Sequence, residues 1–160
     1  MKILIAFYSR TGNTAEAAEE IKERLEEKGH TVRKERIMDQ RNRKGFWGSL
    51  RAAWDSFTKN VTLIEKLKND PADYDLIVIG TPVWAWNMTP AVRTYIIGNK
   101  EYLPQAALFA THEGSKGKVF SRLENELGQK AKATIEFSSK ISKKEKNKMI
   151  KEFLDKLEEV

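Results

Sequence analysis

The chain has no cysteine. Disulfides, iron–sulfur clusters, thiolate zinc sites and a cysteine nucleophile are all excluded by that one absence. Long apolar runs are missing too. The N-terminal run, Ile3 to Tyr8, is only six residues and has no small-residue cleavage site behind it. It is too short for a secretory h-region and reads as a strand. No other stretch could span a bilayer, so a cytoplasmic protein with no membrane contact is the expectation. Several phosphate and nucleophile motifs are also missing. Neither Ser9–Thr14 nor Gly114–Lys118 is a G-x-x-x-x-G-K-[ST] loop, and no G-x-G-x-x-G fingerprint or G-x-S-x-G elbow occurs. No acid–base constellation and no metal-ligand cluster stands out, so no catalytic side chain is named.

What is present fits one ordinary globular domain over residues 1–160, with 40% hydrophobic residues and no internal repeat or linker. The net charge of +6 is unevenly spread. Residues 39–60 carry five basic and two acidic groups, and residues 138–151 carry six lysines against the single Glu145. Such patches suit nucleic acid, an anionic surface, an acidic protein or a phosphorylated ligand.

Apolar runs alternate with helical patterns, the signature of a parallel sheet wrapped by helices. Lys2–Tyr8 reads as a central strand buried on both faces. Residues 13–28 place Ala15, Ala18, Ile21 and Leu25 on one helical face, with Gly29 as the stop. Thr31–Ile37 is a charged strand that suits a sheet edge. Further strands are expected at Leu76–Ile79, Ala106–Ala110 and Ala131–Phe137. Thr89-Pro90 opens a helix running to Gly98, and Lys118–Leu127 forms another, closed by Gly128. Ser142 and Glu145 form a capping box for a last helix, whose Met149, Ile150, Phe153, Leu154 and Leu157 face the sheet. Between the second and third strands, Leu50, Trp54, Phe57 and Val61 recur at helical steps, so 39–60 is expected to hold an extended, basic, aromatic crossover helix.

Three loops follow the most apolar strands. Ser9-Arg10-Thr11-Gly12-Asn13-Thr14 offers hydroxyls, a tight-turning glycine and a helix N-terminus, which together can cradle a phosphate. The same residues would also serve as an ordinary capped turn. Thr81–Met88 carries Trp84 and Trp86 on a proline-fixed backbone, suited either to a flat aromatic ligand or to covering the core edge. Thr111–Gly117 is polar and flexible, and a lone loop histidine such as His112 more often faces solvent than catalyses.

Y-S-R-T-G-N-T at Tyr8–Thr14 resembles the FMN phosphate loop of the flavodoxin family. Y-D-L-I-V-I-G-T-P-V-W-A-W-N-M-T-P-A-V-R at Tyr74–Arg93 is similar to that family's second flavin loop, and A-L-F-A-T-H-E-G at Ala107–Gly114 to its third. The resemblance covers nearly the whole chain in the right order and takes in the R-K-G-F-W-G-S-L-R segment at Arg43–Arg51. It implies a flavodoxin-like doubly wound α/β fold: a five-stranded parallel sheet of order 2-1-3-4-5 in three α/β/α layers, with FMN at the switch point between the first and third strands. Carried over by position, Ser9, Thr11, Gly12, Asn13 and Thr14, with Arg10 beside them, would hold the phosphate. Pro82, Val83, Trp84 and Ala85 would line the isoalloxazine, and Thr111, His112, Glu113 and Gly114 would edge its pyrimidine side.

Two departures accompany the resemblance. The third loop lacks the aromatic that well-studied flavodoxins stack on the outer flavin face, so Trp84, Trp86 or an aromatic from Phe46–Trp54 covers that face, or it stays open. The chain is also basic where flavodoxins tend to be acidic, with Arg10, Lys116 and Lys118 near the flavin loops and Glu113 the one opposing acid. The implied function is electron transfer through FMN, with a redox partner protein, favoured to be acidic, or a small-molecule acceptor. An NAD(P)H-dependent quinone or nitro reductase is the alternative enzyme reading. A flavin-free module binding nucleic acid or membrane is a third, and nucleic acid is disfavoured because a charged helix face is more often merely solvated.

Overall fold

In the computed structural model, which describes residues 1–40 and 61–159, the apolar runs form a single five-stranded sheet. Its strands are β1 (Lys2–Phe7), β2 (Thr31–Arg36), β3 (Leu76–Pro82), β4 (Gln105–His112) and β5 (Thr134–Ser138). They lie in the order β2-β1-β3-β4-β5 with every pairing parallel, the order expected from the sequence. Among the described residues, helices α1 (Asn13–Glu27), α2 (Pro90–Asn99), α3 (Val119–Leu127) and α4 (Lys143–Glu158) cover the two faces of the sheet. The aromatic crossover helix expected within 39–60 falls, apart from Asp39 and Gln40, outside the described residues.

Period-two alternation along buried strands sends side chains to two cores. Ile3, Ile5 and Phe7 of β1 point to one face and pack with Ala17, Ala18, Ile21 and Leu25 of α1 and with Ile150, Phe153, Leu154 and Leu157 of α4. Leu4 and Ala6 point to the other, against Val92, Tyr95 and Ile96 of α2 and Val119, Leu123 and Leu127 of α3. Each fully buried Leu, Ile or Val contributes about 1.5–3 kcal/mol of transfer free energy. The α1 stripe is centred slightly differently from the expectation: Thr14 and Ala17 are fully buried, whereas Ala15 is only partly so.

Caps behave as the residue types require. Thr89 Oγ1 accepts from Val92 N at 3.4 Å at the start of α2, and Ser142 Oγ accepts from Glu145 N at 3.3 Å at the start of α4. Past α1, Gly29 takes φ 85° while the N–H of His30 reaches Leu25 O, closing the helix. On the β2 edge the buried Glu35 serves as a clasp. Its Oε2 accepts from Lys68 N, Asn69 N and Asn69 Nδ2, which fastens the returning chain to the strand.

Strand ends differ from the apolar runs. β3 continues through Thr81 and Pro82, and β4 through Thr111 and His112, because backbone pairing persists after the apolar residues stop. β5 begins at Thr134, later than Ala131, since Ala131 N donates to the Glu124 side chain.

Candidate cofactor site

Parallel register brings the carboxyl ends of four strands level. Phe7 lies opposite Gly80, Pro82 opposite Thr111, and His112 opposite Ser138, so the loops that follow sit side by side. Gly80 is required within this layer, because a methyl group there would fall inside the Phe109 ring.

The first loop is shaped by Ser9. Its buried Oγ accepts from Gly12 N and Ala15 N, both at 3.2 Å, and its carbonyl accepts from Arg36 Nη2 at 3.0 Å. Arg36 was not anticipated from the sequence; its place at the end of β2, paired with Phe7, is what delivers it here. Gly12 turns the chain with φ 109° and offers no side-chain cap to α1. Among the described residues no protein acceptor takes the N–H of Thr11, Asn13 or Thr14. Orphan donors at a helix start carry the positive end of its dipole. The Gly12 Cβ position itself is empty, with nothing within 4 Å, so the glycine is needed for its backbone angle rather than for close approach.

The second loop is a tight hairpin turn. Trp84 and Asn87 exchange both backbone hydrogen bonds at 3.0 Å, with Ala85 at φ 48° and Trp86 at φ 58° between them. Two consecutive non-glycine residues in the left-handed region are costly, at about 1–2 kcal/mol each. Surrounding contacts hold them: Asn87 is fully buried, Thr89 N donates to Thr81 Oγ1, and Val83 N donates to Thr111 O at 2.9 Å. The half-buried Trp84 meets Tyr8 edge-on, with ring centroids 5.4 Å apart and planes at 87°. Trp86 is 60% exposed and lies against Gly117 of the third loop.

The third loop is joined to the first by a 2.7 Å hydrogen bond between the buried hydroxyls of Thr14 and Thr111. His112 does not face solvent as expected. Its side chain is 9% exposed, and Nε2 lies 3.2 Å from Glu136 Oε2. Lys116 Nζ donates to the other oxygen of that carboxylate at 2.8 Å.

Together these loops enclose a cavity of about 720 Å³, within the range of small-molecule and cofactor sites. Arg10, Thr11, Asn13, Thr14, Pro82, Val83, Trp84, Thr111, His112, Glu113 and Gly114 all line it. Ser9, Gly12, Ala85 and Trp86 do not; they shape the loops instead. Sequence reasoning missed a further wall. Glu16 and Ala17 enter from α1, Phe137 and Ser138 from β5, Ser139 and Ile141 from the segment leading into α4, and Lys146 from α4 itself. The signal available was the parallel order itself, which places β5 beside β4. The charge expectation also changes. Glu113 is not the one opposing acid: Lys116 is paired with Glu136 and Lys146 with Glu20, and Glu16 lines the cavity. Among the described residues no group of His, Asp or Glu could hold a metal ion, and no helix is long and apolar enough to cross a membrane.

A family model described as flavodoxin matches residues 2–157. Among solved structures, a flavoprotein from Lactobacillus acidophilus NCFM in complex with FMN is 25% identical, with 84% of this chain and 92% of that one covered at a TM-score of 0.71. A candidate flavoprotein from Bacteroides eggerthii DSM 20697 is 23% identical, with 96% of each chain covered and a TM-score of 0.73. A flavodoxin from the domain Archaea is 16% identical, with 99% and 97% covered and a TM-score of 0.67. No curated protein sequence matches the chain. With a match that runs from the first strand almost to the end of α4, over the sheet order and loops described above, the chain belongs to the flavodoxin family.

Proposed function

We propose that the chain holds one FMN in this cavity and serves as a flavodoxin-type electron carrier. The observation that carries the reading is the set of unclaimed N–H groups of Thr11, Asn13 and Thr14 at the start of α1, opening on a cavity of about 720 Å³ whose wall includes Trp84. A terminal phosphate is the group such donors suit, since it accepts several hydrogen bonds and its charge is favoured at a helix N-terminus. Ser9 and Gly12 would set the angle of those donors, and Arg10 would add positive charge. Pro82, Val83 and Trp84 would bound the flat ring system, Ala85 and Trp86 would hold the turn that presents them, and Thr111, His112, Glu113 and Gly114 would bound the remaining edge.

Bound FMN supplies the redox chemistry, accepting and releasing electrons one or two at a time. The chain's own part is to bind, orient and partly dry the cofactor, which requires no acid–base residue. The net charge of +6 favours an acidic redox protein or an anionic small acceptor as the partner. A soluble carrier of this kind would work in the cytoplasm.

The visible spectrum of the purified protein tests the reading. Flavin bands, restored to apoprotein by FMN but poorly by riboflavin, are expected. Protein that takes up neither compound, or both equally, would overturn it. Adding NADH or NADPH alone should leave the bands intact; bleaching would assign the chain to the reductases instead.

A further inference from the structure

Strand β4 sends Ala106, Leu108 and Ala110 to the α2–α3 side of the sheet, and the same alternation carries His112 to that side. On β5, Ile135 and Phe137 point to the opposite core, so Glu136 shares a face with His112. Glu136 pairs in register with Ala110 and Ser138 with His112, which leaves Glu136 and His112 diagonal neighbours. One carboxylate thereby meets two side chains of the third loop: His112 Nε2 at 3.2 Å through Oε2, and Lys116 Nζ at 2.8 Å through Oε1.

The imidazole has no second polar contact among the described residues. Its Nδ1 is shut off from solvent and has no hydrogen-bond partner. A buried N–H without an acceptor costs more than a bare lone pair. The arrangement therefore favours hydrogen on Nε2, donated to Glu136. Lys116 and Glu136 offset each other's charge beside His112, and neither of them itself lines the cavity. The charged groups that do line the cavity are Arg10 from the first loop, Glu16 from α1, Glu113 from the third loop and Lys146 from α4.

Resting on the FMN reading above, we propose that Glu136 is a positioning residue for the cofactor: it pins His112 and Lys116 to the edge strand and masks the lysine's charge from the flavin. Reduced flavin carries more negative charge than oxidised flavin, so an unmasked lysine nearby stabilises the reduced form preferentially. Glu136→Gln removes the masking charge with little change in volume. It should make the flavin midpoint potential more positive, with reduced flavin bound several-fold tighter relative to oxidised flavin, and the shift should shrink as salt rises. Glu136→Asp keeps the charge and should return the potential toward that of the unaltered chain. In apoprotein, hydrogen exchange over residues 113–117 should be faster in the Gln variant than in the Asp variant.

The measurement is an equilibrium reduction against a dye of known potential on all three FMN-loaded proteins, with thermal melts alongside. A Gln variant that melts lower but keeps an unchanged potential would reduce Glu136 to a structural residue and overturn the inference, leaving FMN binding intact. Equal potential shifts in the Gln and Asp variants would overturn it as well. Failure of the unaltered chain to take up FMN would instead remove the functional reading, and this inference with it.

Discussion

A methyl group placed on Gly117 would come within 2.7 Å of Trp86 Cβ and 2.8 Å of its Cδ1. The second and third loops of the cavity therefore touch, indole against bare backbone, and Arg122 Nη1 reinforces the contact by donating to Trp86 O at 3.4 Å. Both partners sit in the left-handed region, Gly117 at φ 53° and Trp86 at φ 58°. The exposed Trp86 is thus a strut between loops rather than part of the cavity wall.

Gly117→Ala should destabilise the protein by about 1–3 kcal/mol, the usual cost of overpacking a close contact. The loss should be partly recovered in the double variant with Trp86→Ala, because the close approaches to Cδ1 and Cγ disappear with the indole and only the one to Cβ remains. Chemical denaturation of the four proteins of this cycle gives the coupling. Strictly additive losses would mean that the two residues do not hold the loops together.

Gly12→Ala tests the phosphate cradle. No atom opposes a side chain at this position, so the cost is conformational: φ 109° disfavours any L residue and costs about 1–3 kcal/mol to hold. Relief of that strain would rotate the N–H groups of Thr11, Asn13 and Thr14 away from a common point. FMN affinity should fall roughly tenfold or more by that range, whereas riboflavin, lacking the phosphate, should lose much less. Titrations that find equal losses for the two ligands would refute the cradle.

The two tryptophans of the second loop should behave differently. Trp84 lines the cavity and is propped edge-on by Tyr8, so Trp84→Ala should weaken FMN by about 1–2 kcal/mol and remove much of the quenching of tryptophan fluorescence on binding. Trp86→Ala should cost less binding, through loosened loops alone. A larger loss from Trp86 than from Trp84 would reverse the assignment.

The fold was legible because its signals are local and redundant. Continuous apolar strands such as Ile3–Phe7, the Thr89 and Ser142 caps and the stops at Gly29 and Gly128 each state one element boundary. The three loops were legible because parallel strands put them at one edge of the sheet. What could not be read were contacts between residues distant in sequence that share a face only after pairing. Arg36 on Ser9, Glu136 on His112, and the β5–α4 wall of the cavity all belong to that class. The expectation of unopposed positive charge fails at Lys116 for the same reason, since the glutamate paired with it comes from another element.

Acid stability should report a local contact at the end of α3. Gly128, at φ 71°, turns the chain out of α3 so that the next residues double back onto Glu124. There Glu124 Oε2 accepts from Lys130 Nζ at 2.8 Å and Oε1 accepts from Ala131 N at 3.0 Å. Hydrogen bonding to the Lys130 ammonium, helped by the Ala131 N–H and opposed by burial, holds the carboxyl below the ordinary value of 4.5. A group whose folded value is depressed stabilises the fold fully above its unfolded value and loses that contribution as pH falls through the folded one. Lys130 is 88% exposed, so the contribution of the charge is at most about 1 kcal/mol. Glu124→Gln should therefore lower stability by no more than that at pH 7, and the gap to the unaltered chain should stay constant down to about pH 5 and close below the ordinary glutamate range. Denaturant melts of both proteins at pH 7, 5 and 3 measure it. A gap still open at pH 3 would show that Glu124 acts through packing rather than charge.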